Sequence, residues 1–290
     1  MRKFHLIVLL TILSFSFVFA QKKAMKPEAG KPYNEGRNLA ANKNYEQAIP
    51  KFQAAIKADD QFPEAYYMLG YCYKKLSKFP EAEKAFNGAI KVDPKFEVAY
   101  IALGKLQEES GRFSDAINTF NAVLSFNQKS YKANYGLGKV YYDQKKYKQA
   151  VPYLTKSVEL KNTYVMAYNI LGLTYKQLKK YSLAAEAFNN AIKYEKKTFR
   201  KGAYYYRLGT VLLPLKKYKQ AESALLNALK TTRSSMIKAS SNFYLGEVYK
   251  KTGQTQKAIK YYKLAAKNSN WRQSANYEID MLLHPDKYTY

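Results

Sequence analysis

The chain has 290 residues, of which 49 are Lys or Arg and 22 are Asp or Glu, giving a formal net charge of +27. It carries 29 Tyr and 15 Phe but only one Cys and two His. One thiol and two imidazoles exclude a disulfide framework and any Cys/His zinc site within one chain, so no metal and no cofactor is expected.

The first segment, MRKFHLIVLLTILSFSFVFAQ, opens on Arg2 and Lys3, runs uncharged from Leu6 to Phe19 and places Val18-Phe19-Ala20 before Gln21. This is the pattern of a secretory signal peptide over residues 1–20, its apolar run being shorter than the ~20 residues a membrane-spanning helix needs. No cysteine follows the site for lipid attachment, so the protein is expected to be exported, periplasmic or extracellular. Residues 21–31, QKKAMKPEAGK, are expected to form a flexible basic linker. Beyond the signal, the longest uncharged stretch, Asn162 to Tyr175, has fourteen residues, too few to span a bilayer.

Repetition starts next. Glycines at 36, 70, 104, 138 and 172 are spaced by 34 residues, and Gly209 and Gly246 each arrive three later. Twelve residues after each comes Ala48, Ala82, Ala116, Ala150, Ala184, Ala221 or Ala258, and four further on Phe52, Phe86, Phe120, Leu154, Phe188, Leu225 or Tyr262. Each unit reads as two helices. In the second, Tyr66, Leu69, Gly70 and Tyr73 share one face of a first helix, while Ala82, Phe86, Ala89 and Ile90 share one face of a second. Gly70 and Ala82 lack bulk, so the pair can approach closely. Such a hairpin buries its apolar faces only by stacking on its neighbours, which predicts a solenoid without a central core.

The stretch PEAYYMLGYCYKKLSKFPEAEKAFNGAIKVDP, Pro63 to Pro94, resembles a tetratricopeptide repeat at nearly every defining position. The resemblance covers about 29–272 in seven copies and implies an all-α, right-handed superhelical solenoid of antiparallel helix pairs. The solenoid is placed at 32–272, with a capping helix and tail at 273–290, where WRQSANYEIDMLL looks like a first helix without its glycine. Departures are few. The proline ending the repeat survives only as Pro94, Thr255 replaces the turn aromatic, Pro50 and Pro152 fall inside second helices where they predict kinks, and Pro214 should end a first helix early.

Catalysis is not expected. The one histidine after the signal is His284, in the tail, and adjacent carboxylates such as Glu108 and Glu109 point apart on a helix, so no triad or thiol–imidazole pair can be assembled. Cys72 is expected to be a buried free thiol. Function then falls to surfaces. The resemblance implies that the second, fifth, ninth and twelfth positions of the first helices line a concave groove for peptides or helices. At the fifth stand Tyr33, Tyr67, Ile101, Tyr135, Asn169, Tyr206 and Phe243, read as an aromatic ladder facing away from the packing seam. At the ninth stand Arg37, Tyr71, Lys105, Lys139, Leu173, Thr210 and Glu247, and at the twelfth Lys74, Tyr142, Lys176 and Lys250. Aromatic rings beside lysines favour an acidic protein or peptide partner. Repeats 1 to 3 place Tyr33, Arg37, Met68, Val98 and Ala102 where the chaperone-type variant clamps a terminal carboxylate, so that mode is not supported.

Charge marks a second surface. From Tyr131 onward the chain has 30 basic and 9 acidic residues, net +21, against net +4 for 21–130. The helix-pair turns read Lys145-Lys146, Lys179-Lys180 and Lys216-Lys217, a basic edge that would attract polyanions. For an exported protein these are anionic lipid or polymer rather than nucleic acid. Three readings are therefore carried: a cell-envelope scaffold binding a partner in its groove, a polyanion- or surface-binding protein using the lysine edge, and a self-assembling solenoid in which the tail of one copy enters the groove of another.

Overall fold

The computed structural model describes residues 25–288, so the expected signal peptide lies outside the described residues. Among them the chain is helical throughout, with no strand. Seven pairs follow in order: α1 (Pro27–Ala41) with α2 (Tyr45–Ala58), α3 (Pro63–Lys75) with α4 (Phe79–Val92), α5 (Glu97–Glu109) with α6 (Phe113–Phe126), and α7 (Tyr131–Asp143) with α8 (Tyr147–Leu160). Next come α9 (Val165–Gln177) with α10 (Tyr181–Tyr194), α11 (Thr198–Leu212) with α12 (Tyr218–Thr231), and α13 (Ser235–Lys251) with α14 (Thr255–Ala266). The last helix, α15 (Ser269–Leu283), is followed by one 3₁₀ turn, Pro285–Tyr288.

The helices form where the repeat register predicts them, because the apolar residues of each recur every three or four positions and become its buried stripe. Inside each pair the glycine of the first helix faces the large residue of the second. Phe52, Phe120, Leu154, Phe188, Leu225 and Tyr262 are wholly buried and Phe86 nearly so, each burial contributing roughly 1.5–3 kcal/mol. No single core results. Buried clusters follow one another along the chain, Phe52 with Leu69, Phe86 with Leu103, Phe120 with Leu137, and Leu154 with Leu171, until one larger cluster runs from Phe188 through Tyr262 to Ala275. The least regular repeats, the sixth and seventh, share that continuous core.

The turn within each pair has one geometry. After α7, the Lys145 N–H donates to the Tyr142 carbonyl at 2.9 Å and the Lys146 N–H to the Tyr141 carbonyl at 2.8 Å. This closes the helix end with a left-handed residue. That residue is glycine at Gly111 and Gly253, but elsewhere it is Lys43, Ser77, Lys145, Lys179 or Lys216, with φ between 57° and 66°.

Two boundaries differ from expectation. Helix α1 begins at Pro27, so the last residues of the expected linker, 27–31, are helical: proline fits the first turn and Ala29 is buried against Ala55. The capping helix begins at Ser269, four residues ahead of its expected start. Its indole at Trp271 lies 4.3 Å from the Phe243 ring and donates to Ser240 Oγ at 3.0 Å. A Lys250–Glu278 ion pair adds to the seal. Helices α2 and α8 run unbroken through Pro50 and Pro152, and α11 stops at Leu212, ahead of Pro214.

Candidate functional site

The first helices define the inner side of the curve. Successive first helices approach one another closely, while second helices touch only the first helices on either side, which puts α1, α3, α5, α7, α9, α11 and α13 on the concave face. One step is wider: α9 and α11 approach less closely than the other successive first helices.

The fifth-position residues do not stand clear of the seam. Ile101 and Tyr135 are only 6% and 7% exposed. The Tyr33 ring lies 4.6 Å from Phe62, Tyr67 lies 6.2 Å from Phe96, and Tyr135 lies 5.2 Å from Tyr164. Phe62, Phe96 and Tyr164 are the cap residues that open the next first helix. Each ring thus reaches across into the following repeat and joins the two, so the ladder is mortar rather than a free binding surface. Tyr206 and Phe243 likewise meet the next first helix or the capping helix, against Tyr244 at 5.9 Å and Trp271 at 4.3 Å. The recurrence of Phe62, Phe96 and Tyr164 at 34-residue multiples was the sequence signal for this contact.

The ninth and twelfth positions are more open, and their charges divide into two kinds. Lys74 bonds Glu109 at 2.9 Å, and Lys139 bonds Glu108 at 2.6 Å and Asp143 at 2.8 Å. Burial works against the Lys139 ammonium, but the hydrogen bonds to Asp143 and Glu108 prevail and hold its pKa above the usual lysine range. Lys105 and Lys176 make no ion pair among the described residues. Burial lowers both pKa values, with Lys74 and Lys132 adding to the effect at Lys105, where Glu108 and Glu109 oppose it, and Arg207 adding at Lys176. Arg37 is exposed beside the Tyr33 ring, Tyr71 packs 6.1 Å from Tyr45, and Tyr142 packs 5.6 Å from Tyr147.

Arg207 was not singled out from sequence, because it follows Tyr206 and lies outside the scanned register positions. It belongs to this face: its Nη1 donates to Asn169 Oδ1 at 2.6 Å, joining α11 to α9 across the wider step.

The doublets of the basic edge lie on the turns between paired helices. Lys145, Lys146, Lys179, Lys180, Lys216 and Lys217 are all exposed. Consecutive turns stack, since Lys145 and Lys146 share a cleft of about 380 Å³ with Leu178 of the next repeat. Beside it lies a cleft of about 540 Å³ with Val151, Pro152 and Leu178 in its lining and Lys148, Lys156 and Lys180 around it. Cys72 is buried and free, and burial pushes its thiol pKa up to about 11. No group of three or more metal-ligating side chains occurs among the described residues, and no helix among them is long and apolar enough to cross a membrane.

Sequence profiles of the tetratricopeptide repeat match residues 39–106, 171–237 and 239–270, and the profile of anaphase-promoting complex, cyclosome, subunit 3 matches 109–191. No curated protein matches the chain. Among solved structures, the C-terminal part of a TPR repeat-containing protein from Cytophaga hutchinsonii is similar at 18% identity and a TM-score of 0.64, covering 85% of this chain and 99% of its own. A chain of the APC/C hetero-tetramer Cut9-Hcn1 is similar at 20% identity and a TM-score of 0.62, over 89% of this chain and 46% of its own. YrrB, described as a TPR protein with an unusual peptide-binding site, is similar at 19% identity and a TM-score of 0.50, over 64% and 94%.

Proposed function

Since the chain belongs to the tetratricopeptide repeat family, we propose that it is a non-catalytic binding scaffold, exported to the cell envelope, that holds a protein or peptide segment of acidic character on its concave face. The observation carrying this reading is the set of half-buried concave cations, Lys105, Lys176 and Arg207: none is ion-paired among the described residues, and at Lys176 and Arg207 no carboxylate favours the charge. A cation withdrawn from water without a partner costs free energy that an incoming anion returns. The similar folds of Cut9-Hcn1, a hetero-tetramer, and of YrrB, with its peptide-binding site, agree with use of such a solenoid for holding partners. Export is supported by the amino-terminal segment and predicts a mature chain beginning at Gln21, read by intact mass.

The groove is tested by capture from the envelope fraction with wild type and with an Arg37→Glu, Lys105→Glu double variant. A partner retained by wild type in moderate salt and lost by the variant supports the groove. Equal retention by both removes it.

A second reading rests on the stacked lysine turns and the apolar clefts beside them, which suit an anionic amphiphile. Replacing Lys145, Lys146, Lys179, Lys180, Lys216 and Lys217 with Gln should weaken binding to vesicles containing phosphatidylglycerol and flatten its salt dependence. Wild type that ignores those vesicles at low ionic strength removes this reading.

A further inference from the structure

We propose that Arg207 and Lys176 form a carboxylate-binding subsite at the step between the fifth and sixth repeats, taking the side chain of an aspartate or glutamate from an extended peptide. The assignment rests on the concave face being the partner surface and names what one part of it recognises. The subsite lies where successive first helices approach least closely, between α9 and α11. Two cationic side chains bridge that step. Arg207 Nη1 donates to Asn169 Oδ1 at 2.6 Å, and Lys176 Nζ reaches Thr210 Oγ1 at 3.5 Å.

Among the described residues neither cation is paired with a carboxylate. A guanidinium has five N–H donors, and the Asn169 bond uses one; the remaining contacts of Arg207 are aromatic, with the Tyr204 ring centroid 5.9 Å from its central carbon and the phenols of Tyr142 and Tyr206 nearby. Both cations are half-buried, and their proximity disfavours the charge on Lys176 beyond what burial does. Lys139, one repeat earlier, shows how this fold neutralises such a cation when it does so internally, with Glu108 and Asp143 at 2.6 and 2.8 Å. At Arg207 and Lys176 that role is left to something outside the described chain.

The arrangement suits a carboxylate. A planar fork donates parallel hydrogen bonds to two coplanar oxygens, and the Asn169 bond limits rotation of the fork. The lysine adds a third donor from the opposite helix.

The test is fluorescence anisotropy with a labelled heptapeptide, Ala-Leu-Glu-Ala-Leu-Glu-Ala, capped at both ends so that its side chains hold the only carboxylates, beside its Gln counterpart. Wild type should bind the Glu peptide at least about tenfold more tightly than the Gln peptide, the scale of a charge-assisted hydrogen bond. Arg207→Leu should erase that preference while keeping its helical circular dichroism and a melting temperature equal to or above wild type, because it removes an uncompensated cation. Lys176→Gln should reduce the preference and serves if Arg207→Leu fails to fold. Equal affinity of wild type for both peptides overturns the subsite. So does a preference undiminished in both variants, which leaves the groove standing through Arg37 and Lys105. So does binding that appears only with a free terminal carboxylate, or displacement of the Glu peptide by inorganic phosphate more readily than by acetate.

Discussion

Gly138 and Leu154 fit together with no space for a methyl group between them: a Cβ on Gly138 would lie 2.5 Å from Leu154 Cγ and 3.2 Å from its backbone nitrogen. The same relation recurs in every repeat, from Gly36 against the Phe52 ring at 2.9 Å to Gly246 against the Tyr262 ring at 2.5 Å. The seam therefore sets how close the paired helices come. Gly138→Ala should cost about 1–3 kcal/mol through overpacking, and Gly138→Leu should unfold the fourth repeat and its neighbours. Adding Leu154→Ala to Gly138→Ala should give a loss smaller than the sum of the two single losses, since the new methyl enters the space vacated. Urea unfolding of the four proteins reads this coupling; strict additivity would show that the contact is not what holds the seam.

The turns make an opposite prediction, of gain. Lys145, Lys179 and Lys216 sit at φ of 60°, 57° and 57°, while the equivalent turns of the third and seventh repeats use Gly111 and Gly253. A side chain in this region costs about 1–2 kcal/mol, part of which the extra freedom of glycine in the unfolded chain offsets. Each of Lys145→Gly, Lys179→Gly and Lys216→Gly should stabilise by roughly 0.5–1 kcal/mol, and Gly111→Ala should destabilise. The matching Lys→Gln changes should be near neutral. Thermal melts distinguish strain relief from charge relief, since Gln removes the charge and keeps the strain.

Tyr67 and Tyr135 serve stability before they serve recognition. Their rings join adjacent repeats through Phe96 and Tyr164. Tyr135→Ala should cost about 3 kcal/mol and Tyr67→Ala somewhat less, by the usual scale for truncating a buried aromatic. Hydrogen exchange should show the loss concentrated at the junction next to each site, because a solenoid's repeats depend on their nearest neighbours. Tyr135→Phe should be mild, since only the hydroxyl is removed.

Cys72 gives a pH-dependent signature. Burial raises its thiol from an ordinary 9.0 to about 11 in the fold, so the folded state favours the neutral form. The folded pKa lies above the unfolded one, so this contribution is fully present below pH 9 and is lost as pH rises through about 11. Native protein at pH 8 should resist iodoacetamide, whereas urea-unfolded protein should react fully. Rapid labelling of the native chain, followed by mass spectrometry, would place the thiol outside the core.

Much of the fold was legible because its determinants are local. The glycine and the large residue of each seam are sixteen positions apart, within one hairpin, and their periodic return states both the helix pairs and their stacking. The free thiol, the lysine turns and the capping helix followed from the same register. The chain by itself thus determined the number of units, the identity of the seam and the charge of the turn edge.

Tertiary structure decided what the concave face contains, since that depends on how one repeat is set against the next. Tyr33, Tyr67 and Tyr135 look like groove residues by register, yet the curvature brings Phe62, Phe96 and Tyr164 onto them and buries or half-buries each ring. Lys74 and Lys139 look like free cations, yet Glu109 and Glu108, 35 and 31 residues away, neutralise them. Arg207 and Asn169, 38 residues apart, meet across the step between α9 and α11, which no register position announces. Burial and ion pairing across repeats are set by distances of a few ångströms between helices, and a linear register carries the order of those helices but not their spacing.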